Sequence, residues 1–427
     1  MIILSRYCSV LWVVLAMLGG YSVPVVAEIC HDSDSRKATY IGLHNLLEGT
    51  DRRWYTIIPL NRDLSFYNSR KALLVAENIV MLQMPSGGWR KNVSPECSLL
   101  TQDDAQRLFD TAADHFYPQI QQYHHNVSTL DNNATHSHIR FLMRVNQYYP
   151  RDEFELAIIR GLEYILDAQY SFGGWPQNYP NLSSYGKYVT FNDGAMVGAM
   201  TALSDAMEGA YDYLSEPLLV RCERAYDRGM QYILNAQIEV NGFPTGWAQQ
   251  YLPDTQYTPA QGRIYELPAI STKETIGIIK LLLRDKSPSL KMKTAVNSAI
   301  NWLRWAKIEN VEVRKVYNDR WDQIFTLYYT EDPAGQPDYH RFDGGRFGYD
   351  KVVVRDSKAE PIWAQFYSIK TAQPLFSGWD GIAKSNLADI DYERRVSYGW
   401  YISERKVNHI NNRQYQDVSV PDFVPPE

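Results

Sequence analysis

One phrase recurs along the chain, each time directly after an apolar helical stretch. Gln83-Met84-Pro85-Ser86-Gly87-Gly88-Trp89-Arg90-Lys91-Asn92 is answered by Gln169-Tyr170-Ser171-Phe172-Gly173-Gly174-Trp175-Pro176-Gln177-Asn178. A looser copy runs from Gln237 to Gly242-Phe243-Pro244-Thr245-Gly246-Trp247. The glutamines are 86 and 68 residues apart, room for two helices and their loops per unit. A helix pair cannot bury its apolar face alone, so repeated pairs stack on one another. The expectation is a curved stack of hairpins, closed or nearly closed. Glycine supplies the sharp exit after each helix. Tryptophan either plugs the core or faces a central cleft; the cleft is the expectation taken for Trp89 and Trp175.

Periodicity agrees with a mainly α chain. Phe154, Ala157, Ile158, Gly161, Leu162, Ile165 and Leu166 follow the i, i+3, i+4 rule, and comparable stripes cover 195–214, 222–237 and 292–306. Alternating strand patterns are scarce. Residues 309–360 break the pattern with the turn-rich runs Tyr329–Gly335 and Asp343–Tyr349, and Val352-Val353-Val354 reads as extended. An irregular or β insertion beside the cleft is expected there. Its flanks set the domain plan: a toroid over 66–405, a lead-in arm over 28–65 and a tail over 406–427.

The N-terminus reads as a secretory signal peptide, 1–27. Arg6 precedes the apolar run Leu11–Leu18, and Val25-Val26-Ala27 offers a small residue for cleavage. That places the mature protein outside the cell or in a periplasm, off the membrane, as an expected monomer. A Cys30–Cys97 disulfide suits such a compartment, while Cys222, inside a helical pattern, is expected to be a buried free thiol. The net charge of −6 and the lack of a basic run exclude a nucleic-acid binder.

Two carboxylate motifs stand before helices. Leu130-Asp131-Asn132-Asn133-Ala134-Thr135 precedes a helix from His136, and Thr190-Phe191-Asn192-Asp193-Gly194-Ala195 precedes one from Met196. Asp131 and Asp193, 62 residues apart, either cap those helices or gather oxygens around a hard cation. Arg263, in Gly262-Arg263-Ile264-Tyr265-Glu266-Leu267-Pro268, is either a solvated surface arginine or a cleft residue for a carboxylate-bearing substrate. His136 and His138, two apart, do not make a helical zinc pair.

At these motifs the chain resembles the family 10 polysaccharide lyases, which are pectate lyases. The matching segments are Gly87-Gly88-Trp89 with Lys91-Asn92, Asp131-Asn132 with Ala134-Thr135, Thr190-Phe191-Asn192-Asp193 with Ala195, and Tyr265-Glu266-Leu267-Pro268. Pro361-Ile362-Trp363-Ala364-Gln365-Phe366-Tyr367, Asp380-Gly381 and Glu393-Arg394-Arg395 with Tyr398 and Trp400-Tyr401 match as well. They fall in family order over roughly residues 70–403. The resemblance implies an (α/α) toroid with a wide central groove that cleaves polygalacturonate by Ca²⁺-dependent β-elimination. It makes Asp193 a calcium ligand, Asp131 a second acid at the calcium and catalytic centre, and Arg263 the catalytic base. Lys91, Asn92, Asn192, Trp89 and Trp175 become substrate-binding residues.

The chain departs from the family twice. Trp379 in Gly378-Trp379-Asp380-Gly381 replaces a family arginine, leaving an aromatic to bind substrate there, and Arg90 stands where proline is usual. Lys370, Lys384, Arg394 and Arg346 are the cations available to compensate. The elimination removes the proton at C5 of a galacturonate, beside its carboxylate, so cations must neutralise the developing charge. Arginine is an unusual base because its unperturbed pKa is about 12.5 to 13.8. A neighbouring calcium and lysine are expected to favour its neutral form, giving an alkaline optimum. Two other readings use the same residues. One is an α-toroid glycoside hydrolase with an Asp pair and no calcium requirement; the other is a catalytically weak pectin-binding homologue.

Overall fold

The computed structural model describes Leu60 and residues 62–91, 128–317 and 349–426. The expected signal peptide, nearly all of the arm, the Cys30–Cys97 pair, Asn92 and Arg346 lie outside the described residues. Among the described residues nine helices of six or more residues follow in order: α1 (Arg70–Met81), α2 (His136–Asn146), α3 (Asp152–Ala168), α4 (Ala195–Glu208) and α5 (Glu216–Asn235), then α6 (Thr272–Leu282), α7 (Leu290–Trp305), α8 (Tyr392–Ser397) and α9 (Glu404–Asn411). They make two rows. The outer row is α1, α3, α5 and α7; the inner row is α2, α4, α6 and α9. This is the (α/α) toroid: each outer helix runs into a loop, and the chain returns as an inner helix.

The predicted stripe of α3 is its buried face, and Asp152, Glu153 and Glu155 occupy its first turn, where the helix dipole favours negative charge. Inner helices are enclosed on more sides. In α4 the buried positions run almost continuously from Ala195 to Ala206.

The recurring glutamine clamps neighbouring units. Nε2 of Gln83 donates to Gly87 O in its own loop (2.8 Å) and to Ala157 O of α3 (2.9 Å). Gln169 repeats this with Gly173 O and Ala225 O, and Gln237 with Thr245 O and Ala295 O. Gly87 and Gly173 have φ of 92° and 104°. A Cβ there would stand 2.4 Å from Arg160 O or 2.2 Å from Arg228 O, so only glycine fits both the dihedral and the gap.

Trp89 and Trp175, expected to face the cleft, turn into the core instead. Trp89, Trp175 and Trp247 are buried, with at most 1% exposed. Their indole N–H groups donate backwards to Ile79 O, Ile165 O and Ile233 O at 2.7, 2.8 and 2.8 Å. Those carbonyls belong to the ends of the preceding outer helices, where no intrahelical donor remains. The ring thus closes its helix end while filling the core.

A fourth copy, Trp363-Ala364-Gln365, was detached from its helix in the sequence. Trp363 Nε1 donates to Leu303 O of α7 at 2.6 Å. Between them lies the insertion, which leaves and re-enters at one point, where Ile308 and Ile362 exchange backbone bonds of 2.8 and 3.0 Å. Its described part is an antiparallel hairpin, β1 (Val311–Tyr317) with β2 (Tyr349–Arg355). Asp350 of β2 anchors it by a buried two-pronged pair with Arg395 (2.8 and 2.9 Å). Cys222 is a buried free thiol, its pKa pushed up to about 12 by burial.

The boundary expected at 405 falls inside α9, the last inner helix. The following segment crosses α7: Asn297 Nδ2 donates to Tyr415 O and Val418 O, and Phe423 packs on Trp305.

Candidate active site

All four inner helices begin at the same end of the toroid as the Trp loops, and the loops are tied together there. Leu130 N donates to Gln177 O, Phe191 N to Gln249 O and Thr272 N to Gln365 O, so each inner-helix entry leans on the Trp loop of the following unit. Asp131 and Asp193 sit in two such entries, whose short 3-10 turns touch each other. Neither aspartate caps a helix; the N-cap positions are Thr135 and Gly194. The two turns share one backbone form with a left-handed second residue, but that residue is Asn132 (φ 50°) in one and Asp193 (φ 49°) in the other. Asp131 therefore corresponds to Asn192. The two acids are one position out of step, which aims them differently.

Each is met by a lysine. Lys91 Nζ lies 2.5 Å from Asp131 Oδ2, and Lys273 Nζ lies 2.5 Å from Asp193 Oδ1. Burial pushes the Asp131 carboxyl up, but the Lys91 ammonium outweighs it and holds the carboxyl below the usual range. Burial likewise opposes the Lys91 charge, and Asp131 keeps the amine protonated above its ordinary value. The other oxygen, Asp131 Oδ1, is buried without a well-aligned hydrogen bond, as is Oε1 of Gln177, whose side-chain amide also helps to hold the Asp131 carboxyl low.

Arg263 joins this cluster, since its charge acts on both Asp131 and Lys91. Its backbone N–H and Nε donate to Glu266 Oε2 (2.9 Å each) and a terminal nitrogen to Oε1 (2.5 Å). The side chain keeps 44% of its surface exposed. Burial is the largest single influence and lowers its pKa, yet the bond and charge of Glu266, with Tyr265 and Tyr398, together raise it well above the ordinary arginine value. A neighbouring calcium and lysine were expected to favour its neutral form; Glu266 pulls the other way, because a two-pronged carboxylate stabilises a guanidinium.

Several residues of the cluster were not singled out in the sequence. Glu266 also accepts from Tyr398 Oη (2.9 Å), and Tyr185 is close enough to feel Arg263, Lys91, Glu266 and Asp131. Gln249 donates to Asn192 Oδ1 (3.1 Å). Trp379 stands edge-on to Tyr265, its indole N–H on Glu393, and the Arg394 guanidinium lies 4.5 Å from the Tyr265 ring centre and 4.8 Å from that of Trp379. Of the described compensating cations, Arg394 is the one beside this cluster; Lys384 pairs with Asp380 and Lys370 is exposed.

A family model of pectic acid lyases matches residues 83–334 and 337–407, well over half of the chain. The chain belongs to the pectic acid lyase family. Two solved structures of the family 10 polysaccharide lyase from Cellvibrio cellulosa are similar to this lyase. One has 23% identity, a TM-score of 0.60 and coverage of 84% of this chain and 98% of that chain. The other is an aspartate-to-alanine mutant in complex with trigalacturonic acid, at 24% identity and a TM-score of 0.59, covering 82% and 94%. At that identity the likeness bears on the fold, and it agrees with the toroid described above. No curated protein matches.

Proposed function

We propose that this lyase cleaves α-1,4-polygalacturonate by calcium-dependent β-elimination at the Asp131, Asp193 and Arg263 cluster, releasing unsaturated oligogalacturonides as a secreted or periplasmic protein. The observation that carries this reading is the buried Asp131 carboxylate held among Lys91, Gln177 and Arg263. Trigalacturonic acid in the similar lyase supports the substrate class. Among the described residues no helix is long and apolar enough to cross a membrane.

Charge supports a cation requirement. Lys91, Lys273 and Arg263 are balanced by Asp131, Asp193 and Glu266. The cluster as it stands offers a polyanion no net attraction. Among the described residues no three His, Cys, Asp or Glu side chains gather into a metal group. Hard oxygen donors are nonetheless at hand: Asp131 Oδ1, Gln177 Oε1 and the Asp193 carboxylate, now on Lys273, would hold calcium, with substrate oxygens and water completing the usual six to eight. When bound, the ion neutralises the substrate carboxylate and so acidifies the C5 proton.

The side chains do the remainder. Lys91 holds a uronate carboxylate. Arg263, once deprotonated, takes the C5 proton; the C–H electrons become the C4–C5 double bond, and the C4–O bond breaks with solvent protonating the leaving oxygen. Because Glu266 keeps Arg263 charged, the base form grows only in alkaline solution, so the rate should climb with pH above neutrality. An optimum below pH 7 would remove Arg263 from this role.

The test is ultraviolet absorbance of unsaturated uronide ends from polygalacturonate, with calcium and then with a chelator. A calcium-dependent rise is expected, and its loss in Arg263→Ala with substrate binding retained. Reducing ends without the chromophore would mean hydrolysis. Asp193→Ala should raise the calcium concentration for half-maximal rate at least ~10-fold, about 1.4 kcal/mol of lost binding; an unchanged value would take Asp193 out of the metal site.

A further inference from the structure

Along the seam between α6 and α9 lies a cavity of 490 Å³ lined by Lys273, Ile276, Gly277 and Lys280 on one side and Ile402, Arg405, Lys406 and His409 on the other. The α6 side is spaced i, i+3, i+4, i+7, one continuous face about 10 Å long, and the other side is Ile402 of the strand Tyr401–Ser403 followed by Arg405, Lys406 and His409 of α9. Its mouth is at the active site, because Lys273 is the partner of Asp193. No acidic side chain lines it, in a protein whose net charge is −6. Unlike the balanced catalytic cluster, Lys280, Arg405, Lys406 and His409 form no ion pair among the described residues.

Fold stability does not account for this. The helix dipole favours Lys280 and His409, near helix C-termini, but disfavours Arg405 and Lys406 in the first turn of α9. Gly277 lies inside α6, where glycine costs about 1 kcal/mol relative to alanine. A Cβ there would meet nothing within 4 Å, so packing does not demand glycine. Its missing side chain leaves the middle of the groove open. Apolar Ile276 and Ile402 at the floor suit the CH faces of a sugar ring, with cations on the rim for its carboxylates.

We propose that this seam is an accessory subsite that holds the carboxylates of a polyuronate chain beyond the units being cleaved. It rests on the polygalacturonate reading above. It lets the enzyme prefer long, de-esterified chains over short ones, since the binding energy is gained remote from the reacting bond. The attraction is electrostatic and weakens with salt.

The experiment compares wild type with the triple variant K280Q/R405Q/K406Q and with Gly277→Leu, which fills the groove while favouring the helix. Circular dichroism confirms folding of each. Expected are a KM for polygalacturonate raised about tenfold, equivalent to ~1.4 kcal/mol, an unchanged kcat, and unchanged kinetics on trigalacturonate. Unaltered KM on the polymer, or equal losses on trimer and polymer, overturns the proposal. Calorimetric binding of decagalacturonate without calcium separates the two claims: if wild type shows no turnover, the lyase reading fails. A tenfold affinity loss in both variants then still supports the groove, and no loss overturns it. Equal wild-type affinity for an inorganic polyphosphate of matched charge overturns the assignment to uronates.

Discussion

Glu266 meets Arg263 through its backbone N–H, Nε and a terminal nitrogen, and its Oε1 also accepts from Tyr398. The carboxylate is itself held below its usual range: burial pushes it up, and the Arg263 bonds outweigh that. Glu266→Gln keeps the shape and removes the charge that makes Arg263 reluctant to lose its proton. The alkaline limb of the kcat/KM profile should therefore move by ~1 pH unit or more to lower pH, since one unit corresponds to 1.36 kcal/mol and a lost charged bond is worth more. A limb that stays put belongs to another group. At this scale the sequence was legible where a motif names its residue, as with Asp131, Asp193 and Arg263. The motifs do not show register: backbone dihedrals pair Asp131 with Asn192, not with Asp193. Tyr185 and Gln249 arrive from two loops and Lys273 from the first turn of α6, and no local pattern marks residues assembled in that way.

Helices and their exit loops are the parts the sequence announced best, because a 3.6-residue stripe and a Gly-Trp turn are both local signals. What it left open was which way the indole points. Each tryptophan can satisfy its N–H only on a carbonyl of its own helix end, and the glycine before it lets the ring fold back far enough to do so. The fourth copy went unseen because the insertion parts Trp363 from α7, with 53 intervening residues between Ile308 and Ile362, beyond any pattern window. The glutamine clamps carry a stability prediction. Gln237→Ala deprives Thr245 O and Ala295 O of one donor that serves both, so unfolding in urea should lose about 1–3 kcal/mol with an unchanged slope. A loss within error would mean that water replaces the amide at no cost.

Across the whole molecule, two histidines set the acid limit. His136 and His138 are buried in α2, and burial first, then the nearby Arg140 and His136 charges respectively, lower both to a pKa of about 3. Unfolded, they titrate near 6.5. They stay neutral in the fold, so their contribution is complete above pH 6.5 and drains away as pH falls toward 3. At pH 5 each costs about 2 kcal/mol. Thermal unfolding followed from pH 8 to pH 4 should show Tm falling steeply below 6.5. His138→Phe, which keeps a ring on Trp89, should make that fall shallower; an identical slope would assign the acid loss to carboxylates.

The backbone bonds from Leu130, Phe191 and Thr272 all point one way, to a loop that comes later in the chain. Each lip of the active centre is therefore left open until the unit after it has been made. During synthesis the nascent chain can close α2 and α4 only as Gln177 and Gln249 emerge, so assembly proceeds from front to back and the catalytic rim is completed last.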